Sequence, residues 1–159
     1  VPVEMAETRY GIMIDEYSLH TDGRGAGEFR GGCGARYRIK FYDEAETDLV
    51  MFGDGRKFAP YGLFGGKEGS LNMAYLNEGR EDERLLPSKG VSHVSGAGTF
   101  SSYPSGGGGW GDPRRRPAET VALDVKNGYV SKQAAYDVYG VALHEDFTVD
   151  QAKTKELRA

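Results

Sequence analysis

The clearest hydrophobic pattern in the chain is a period-2 alternation that follows its first glycine cluster. Tyr37, Ile39 and Phe41 alternate with Arg36, Arg38 and Lys40, which puts an apolar stripe on one face of a strand and charges on the other. Residues 8–19 are rich in β-branched and aromatic side chains and predict another strand, kinked at Gly11. Residues 47–52 (Thr-Asp-Leu-Val-Met-Phe) predict a third, stopped by Gly53-Asp54-Gly55, and apolar side chains on both of its faces imply cover on each side. From about 56 to 111 the pattern breaks into short apolar pieces, such as Ser70–Leu76 and Val91–Phe100, between glycine-rich loops. The charges of Glu78–Arg84 read as an exposed loop.

The pattern changes character after Pro113. Pro117 opens a helical stretch carrying Val121, Leu123 and Val125, and Asn127-Gly128 stops it. Ser131 caps a second helix, Lys132–Tyr139, closed by Gly140. Thr148 with Gln151 three residues on fits a capping box for a last helix through Leu157, and Val141-Ala142-Leu143 is a short extended piece. The expected fold is α+β and mainly β: a β-sandwich-like body with short C-terminal helices. Residues 1–113 form the glycine-rich β body, and 114–159 a helical segment of the same domain.

Composition sharpens this picture. A chain of 159 residues makes one domain, and 38% hydrophobic content with 24 glycines is low for a free-standing enzyme of that size. An aromatic content of 11% is too rich for disorder, so the chain reads as a loop-rich domain that buries further apolar surface against a partner. A net charge of −4 with both signs interspersed argues against general nucleic-acid binding, and Arg114-Arg115-Arg116 between prolines reads as a solvated turn. The lone Cys33 excludes an internal disulfide, fits a reducing compartment and reads as a small buried apolar residue. No apolar run approaches a membrane span and no signal pattern opens the chain, so the expected location is cytoplasmic.

Self-contained chemistry is hard to find. His20, His93 and His144 lack metal-ligand spacing. Gly106, Gly108 and Gly111 match a dinucleotide fingerprint, but Trp110 sits inside it, Asp112-Pro113 ends it and loop residues precede it. Two readings of the loop Gly106, Gly107, Gly108, Gly109 and Trp110 stand side by side: a subunit-interface loop near another chain's site, or a tight crossing of backbones within the β body. Ser88, Ser95, Ser101, Ser102 and Ser105 occupy no nucleophile elbow, and Cys33 has no neighbouring histidine. Asp15-Glu16 and Glu81-Asp82-Glu83 read as surface charge. No catalytic, cofactor-binding or metal-binding residue is assigned.

A series of local strings in fixed order carries more information than any one motif. Glu7-Thr8-Arg9-Tyr10 leads to Gly25-Ala26-Gly27-Glu28-Phe29-Arg30-Gly31-Gly32, then to a block from Gly55 to Gly66 containing Pro60-Tyr61-Gly62-Leu63-Phe64-Gly65-Gly66. Leu86-Pro87-Ser88-Lys89, the Gly106–Pro113 loop, Asp124–Ser131 and Tyr139–Val141 follow. The series resembles the C-terminal part of the hydantoinase B/oxoprolinase family across nearly the whole chain. The resemblance implies a separate small accessory subunit, like that of acetophenone carboxylase, completing a larger hydantoinase B-like chain in an ATP-dependent ketone carboxylase. It implies partners that are larger hydantoinase A-like and B-like subunits in a hetero-oligomer, with ATP and a divalent metal held by those partners and no cofactor here. The alternatives are a subunit of an ATP-dependent hydantoinase or oxoprolinase acting on cyclic amides, and a free-standing β-rich binding module.

Overall fold

A computed structural model describes residues 1–42, 47–94 and 96–159; Ser95 lies outside them. The chain opens with helix α1 (Val3–Tyr10) and continues in strands β1 (Ile12–Leu19), β2 (Ala35–Phe41), β3 (Thr47–Phe52), β4 (Met73–Leu76), β5 (Arg84–Leu85), β6 (Lys89–Val94) and β7 (Thr99–Tyr103). A 3₁₀ turn at Pro113–Arg115 precedes helices α2 (Ala118–Lys126), α3 (Lys132–Asp137) and α4 (Gln151–Arg158). The fold is therefore α+β with strands predominating. Contacts divide the chain into two compact units interleaved along the sequence. One comprises Val1–Ser18, Ala35–Lys57 and Leu71–Pro104, and the other Leu19–Gly34, Phe58–Ser70 and Ser105–Ala159. The glycine-rich segments thus group with the C-terminal helices and the strands group among themselves.

The strand unit holds a five-stranded sheet of order β1-β2-β7-β4-β5 and a separate two-stranded pair, β3-β6. Antiparallel register sets Ile39 opposite Phe100 and Phe100 opposite Leu76, so these side chains share one face. They pack with Phe41, Ala74, Leu86 and Val94 and with Leu49 and Met51 of β3, which makes the core of this unit. On β2 the charged positions go where the alternation sends them: Lys40 pairs with Asp15 at 2.6 Å and Arg38 with Glu78 at 3.5 Å.

Two sequence expectations are corrected in this unit. Residues 3–10 are helical, not the beginning of a kinked strand. Thr8 Oγ1 donates back to the carbonyl of Glu4, Glu7 Oε1 accepts from Ile14 N–H, and Gly11 at φ 56° ends the helix in the left-handed region. The strand 47–52 is covered on one face only. Leu49 and Met51 enter the core, while Val50 is 74% and Phe52 88% exposed.

The second unit has its own apolar core of Val121, Val125, Val130, Ala135, Tyr139 and Val141. Helix α3 begins as its sequence dictates, with Ser131 Oγ accepting from Ala134 N–H at 3.0 Å. Helix α4 does not use the Thr148–Gln151 box. Asp150 Oδ1 accepts from Lys153 N–H at 3.0 Å, and the Thr148 hydroxyl donates to Asp146 instead, because Asp150 stands immediately before the first helical residue. Among the described residues no helix is long and apolar enough to cross a membrane.

Candidate functional site

The helical unit is built around three glycine-rich segments whose backbones bond to each other on all sides. Gly25 N–H donates to Gly107 O at 2.8 Å and Gly107 N–H to Gly32 O at 3.0 Å, joining the first segment to the third. Gly109 N–H donates to Lys67 O and Leu63 N–H to Gly109 O, both at 2.9 Å, joining the second to the third. Lys67 N–H to Ala26 O at 2.7 Å closes the triangle. Backbone bonding this dense leaves no space for a side chain at several of these glycines. A Cβ at Gly106 would overlap Gly23 O, one at Gly108 would overlap Tyr61 O, and one at Gly109 would overlap Ala26 O. The quadruple glycine is therefore a tight crossing of backbones within this chain, set beside the helices and not inside the strand unit.

Aromatic side chains emerge from one part of the bundle. Phe29 bridges to Trp110 through a reciprocal backbone pair, and Leu63 bridges to the same tryptophan. The rings of Phe29 and Phe64 each lie 5.5 Å, centroid to centroid, from that of Trp110. All three side chains are exposed, and Phe64 sits at φ 50°, a region that costs a bulky residue about 1–3 kcal/mol. Within the Gly106–Trp110 loop it is Trp110 that stays exposed, in an aromatic triplet with Phe29 and Phe64.

Beside the bundle lies a charge cluster that sequence reasoning missed. Asp124 of α2 is 5% exposed and accepts from Arg30 Nε at 2.9 Å, from Arg30 Nη2 at 3.0 Å and from Arg116 Nη2 at 2.9 Å. The hydrogen bond to Asp124, outweighing burial, makes the Arg30 guanidinium still harder to deprotonate. Arg116 also donates to Glu28 O, so the last member of the triple-arginine string is a half-buried structural cation, while Arg114 and Arg115 stay exposed. Arg24 and Arg30 both lie over the Tyr129 ring, at 5.7 and 5.4 Å. Cys33 is half-buried and its Sγ accepts from Arg24 Nη1, so it has a cationic neighbour and is not a purely apolar core residue. A signal existed in the strings: Arg30 lies in the first glycine segment, and Asp124 and Tyr129 open and nearly close the Asp124–Ser131 string.

The isolated histidines remain isolated from one another: His93 pairs with Asp48 across the β3–β6 ladder, and His144 caps a turn with Thr148 and Phe147. Among the described residues no group of three or more His, Cys, Asp or Glu could hold a metal ion.

The sequence profile of hydantoinase B/oxoprolinase matches residues 1–113. The chain belongs to this family. It is 37% identical, over 99% of its length, to the caprolactamase subunit beta of Pseudomonas jessenii, and the crystal structure of that ATP-dependent caprolactamase superposes with a TM-score of 0.78. It is 27% identical, over 85% of its length, to the alpha subunit of acetone carboxylase from Xanthobacter autotrophicus. A nucleotide-free structure of acetone carboxylase shares the fold at a TM-score of 0.81 and 23% identity. It is 30% identical, over 69% of its length, to 5-oxoprolinase of Dictyostelium discoideum. The chain spans 28%, 22% and 8% of these three relatives, so it corresponds to a small part of each. Family likeness extends past residue 113 into the helices, because the caprolactamase alignment covers nearly the whole chain.

Proposed function

We propose that this chain is an accessory part of an ATP-dependent enzyme complex that opens a cyclic amide, working with larger hydantoinase A-like and B-like subunits. The observation that carries this reading is the 37% identity to caprolactamase subunit beta over 99% of the chain, higher than the likeness to the acetone carboxylase subunit. In this reading ATP and a divalent metal are held by the partners, and this chain contributes a rigid glycine bundle and the aromatic triplet Phe29, Phe64 and Trp110. Exposed aromatics clustered on a rigid support are what a protein interface uses as anchors.

The second reading, a ketone carboxylase of the acetone or acetophenone carboxylase kind, is favoured by the 27% identity to the acetone carboxylase alpha subunit. The two differ in co-substrate. The complete complex is assayed for ATP turnover with a lactam or hydantoin in the absence of bicarbonate, and with a ketone in its presence. Lactam-dependent turnover without bicarbonate is the expected result, and strictly bicarbonate-dependent turnover with a ketone overturns it in favour of the carboxylase.

A further inference from the structure

We infer that the outer edge of β1 is a docking edge that takes one further strand, an extended segment of the larger hydantoinase B-like subunit without acidic side chains at its centre. β1 lies at the end of the five-stranded sheet, and among the described residues only β2 pairs with it. The opposite edge, β5, is two residues long, whereas β1 runs for eight. Sheets protect an exposed edge by keeping it short or by placing lysine or proline on it. β5 uses the first device and β1 uses neither. It holds no lysine or proline, and its two charges, Asp15 and Glu16, pair with Lys40 and Arg36 of β2 at 2.6 and 4.0 Å. The N–H of Ile14 is occupied by Glu7 Oε1.

The face beside this edge is unfinished too. Tyr37 is two residues from Ile39 and shares its side of β2, so the face that forms the core continues past Ile39 toward Tyr37. Leu49 and Met51 of β3 join Ile39 in that core. At the Tyr37 end lies a groove of about 540 Å³, lined chiefly by Val1, Val3, Ile14, Tyr17, Ala35 and Tyr37. Tyr17 is 75% exposed, although its ring meets that of Tyr37 edge-on at 5.5 Å. Helix α1, whose first residue borders the groove, buries none of its eight residues. A helix of that length is marginal in water unless it packs against something.

Edge and groove together select the occupant. An added strand satisfies the N–H and C=O groups of an edge and sends alternate side chains over the same face, here toward the groove. A second copy of this chain is a poor occupant. Antiparallel pairing of β1 with itself in full register sets Asp15 of each copy opposite Glu16 of the other, and like charges directly opposite destabilise a ladder. The larger subunit is the better source. Caprolactamase subunit beta aligns with 99% of this chain but only 28% of itself, so in that relative the sheet belongs to a polypeptide with ample further chain to supply a neighbouring strand. The choice of that subunit rests on the accessory-subunit reading; the open edge stands without it.

The test is hydrogen–deuterium exchange of the full chain, alone and in the purified complex with the larger subunits. Expected is a slowing of exchange by about tenfold or more over residues 12–19 in the complex. Tyr17→Lys puts a charge at the mouth of the groove. Because Tyr17 is exposed, the variant is expected to unfold within a few degrees of the parent and to bind the larger subunits about tenfold more weakly. Phe52→Lys, at a still more exposed ring on the separate β3–β6 pair, is expected to bind as the parent does. A complex that forms with residues 12–19 exchanging as in the free chain overturns the docking edge and leaves the accessory-subunit reading intact. So does a Tyr17→Lys chain that binds no more weakly than the Phe52→Lys chain. Slowing over 12–19 that rises with the concentration of the chain alone assigns the edge to a second copy and overturns the larger subunit as its occupant. Failure of the larger subunits to bind at all overturns that reading, and this occupant with it.

Discussion

Asp124 ties the first glycine segment and the turn before α2 to that helix through Arg30 and Arg116. It neutralises Arg30 and Arg116 through three hydrogen bonds, and all three groups are largely buried. Removing only the charge, as in Asp124→Asn, leaves two guanidiniums without their counter-ion and should lower stability by about 3 kcal/mol, measured from the midpoint of denaturant unfolding. Glu78 gives the strand unit an acid limit. Burial raises its pKa, but hydrogen bonds from Tyr103 and Ser101 and the charge of Arg38 outweigh this and hold it below the ordinary carboxylate range. Its folded value lies below its unfolded value, so the unfolded chain takes up the proton first. The stabilisation is present above the ordinary glutamate range and is lost as pH falls through the folded value. The unfolding temperature of Glu78→Gln should accordingly depend less steeply on pH below about 4.5 than that of the parent. An identical slope would remove Glu78 from the cause.

At the scale of elements, the glycine bundle is the least tolerant part of the chain, and its tolerance should vary position by position. Gly108→Val would drive a side chain into the Tyr61 carbonyl and Gly106→Ala into that of Gly23, so both should prevent native folding of the helical unit, seen as loss of its amide dispersion. Gly32→Ala meets nothing within 4 Å and should fold with a stability within about 1 kcal/mol of the parent. Much of this level was legible in the sequence. The alternation of Tyr37, Ile39 and Phe41 is a strand with its charges paired on the other side, and Ser131 caps its helix. The misreadings have physical causes. The string Thr8-Arg9-Tyr10 has strand propensity, yet capping by Gly11 and the Glu7–Ile14 contact make it a helix end, because tertiary contacts override weak propensity. Glycine strings carry no hydrophobic period, so nothing in them says which segment they will bond to. Their partners are each other's backbones, far apart in sequence. Arg30 and Asp124 escaped for the same reason: they meet only once the bundle has formed.

At the scale of the molecule, family membership and the small share of each relative that the chain spans make its exposed apolar features intelligible. Phe64 is held at positive φ and exposed, a conformation that costs the isolated chain about 1–3 kcal/mol. Phe64→Gly should therefore raise the unfolding temperature of the isolated chain while weakening assembly, measured by co-purification with the larger subunits. Trp110→Ala should weaken assembly without that gain. The most direct test of the proposed role is to isolate the complex from its native source, weigh it intact, and measure its lactam-stimulated ATP turnover with this chain present and depleted. The expected result is a hetero-oligomer containing larger hydantoinase A-like and B-like subunits whose turnover falls on depletion and returns when the chain is added back. A monodisperse 17.3 kDa monomer, or turnover indifferent to the chain, would contradict it.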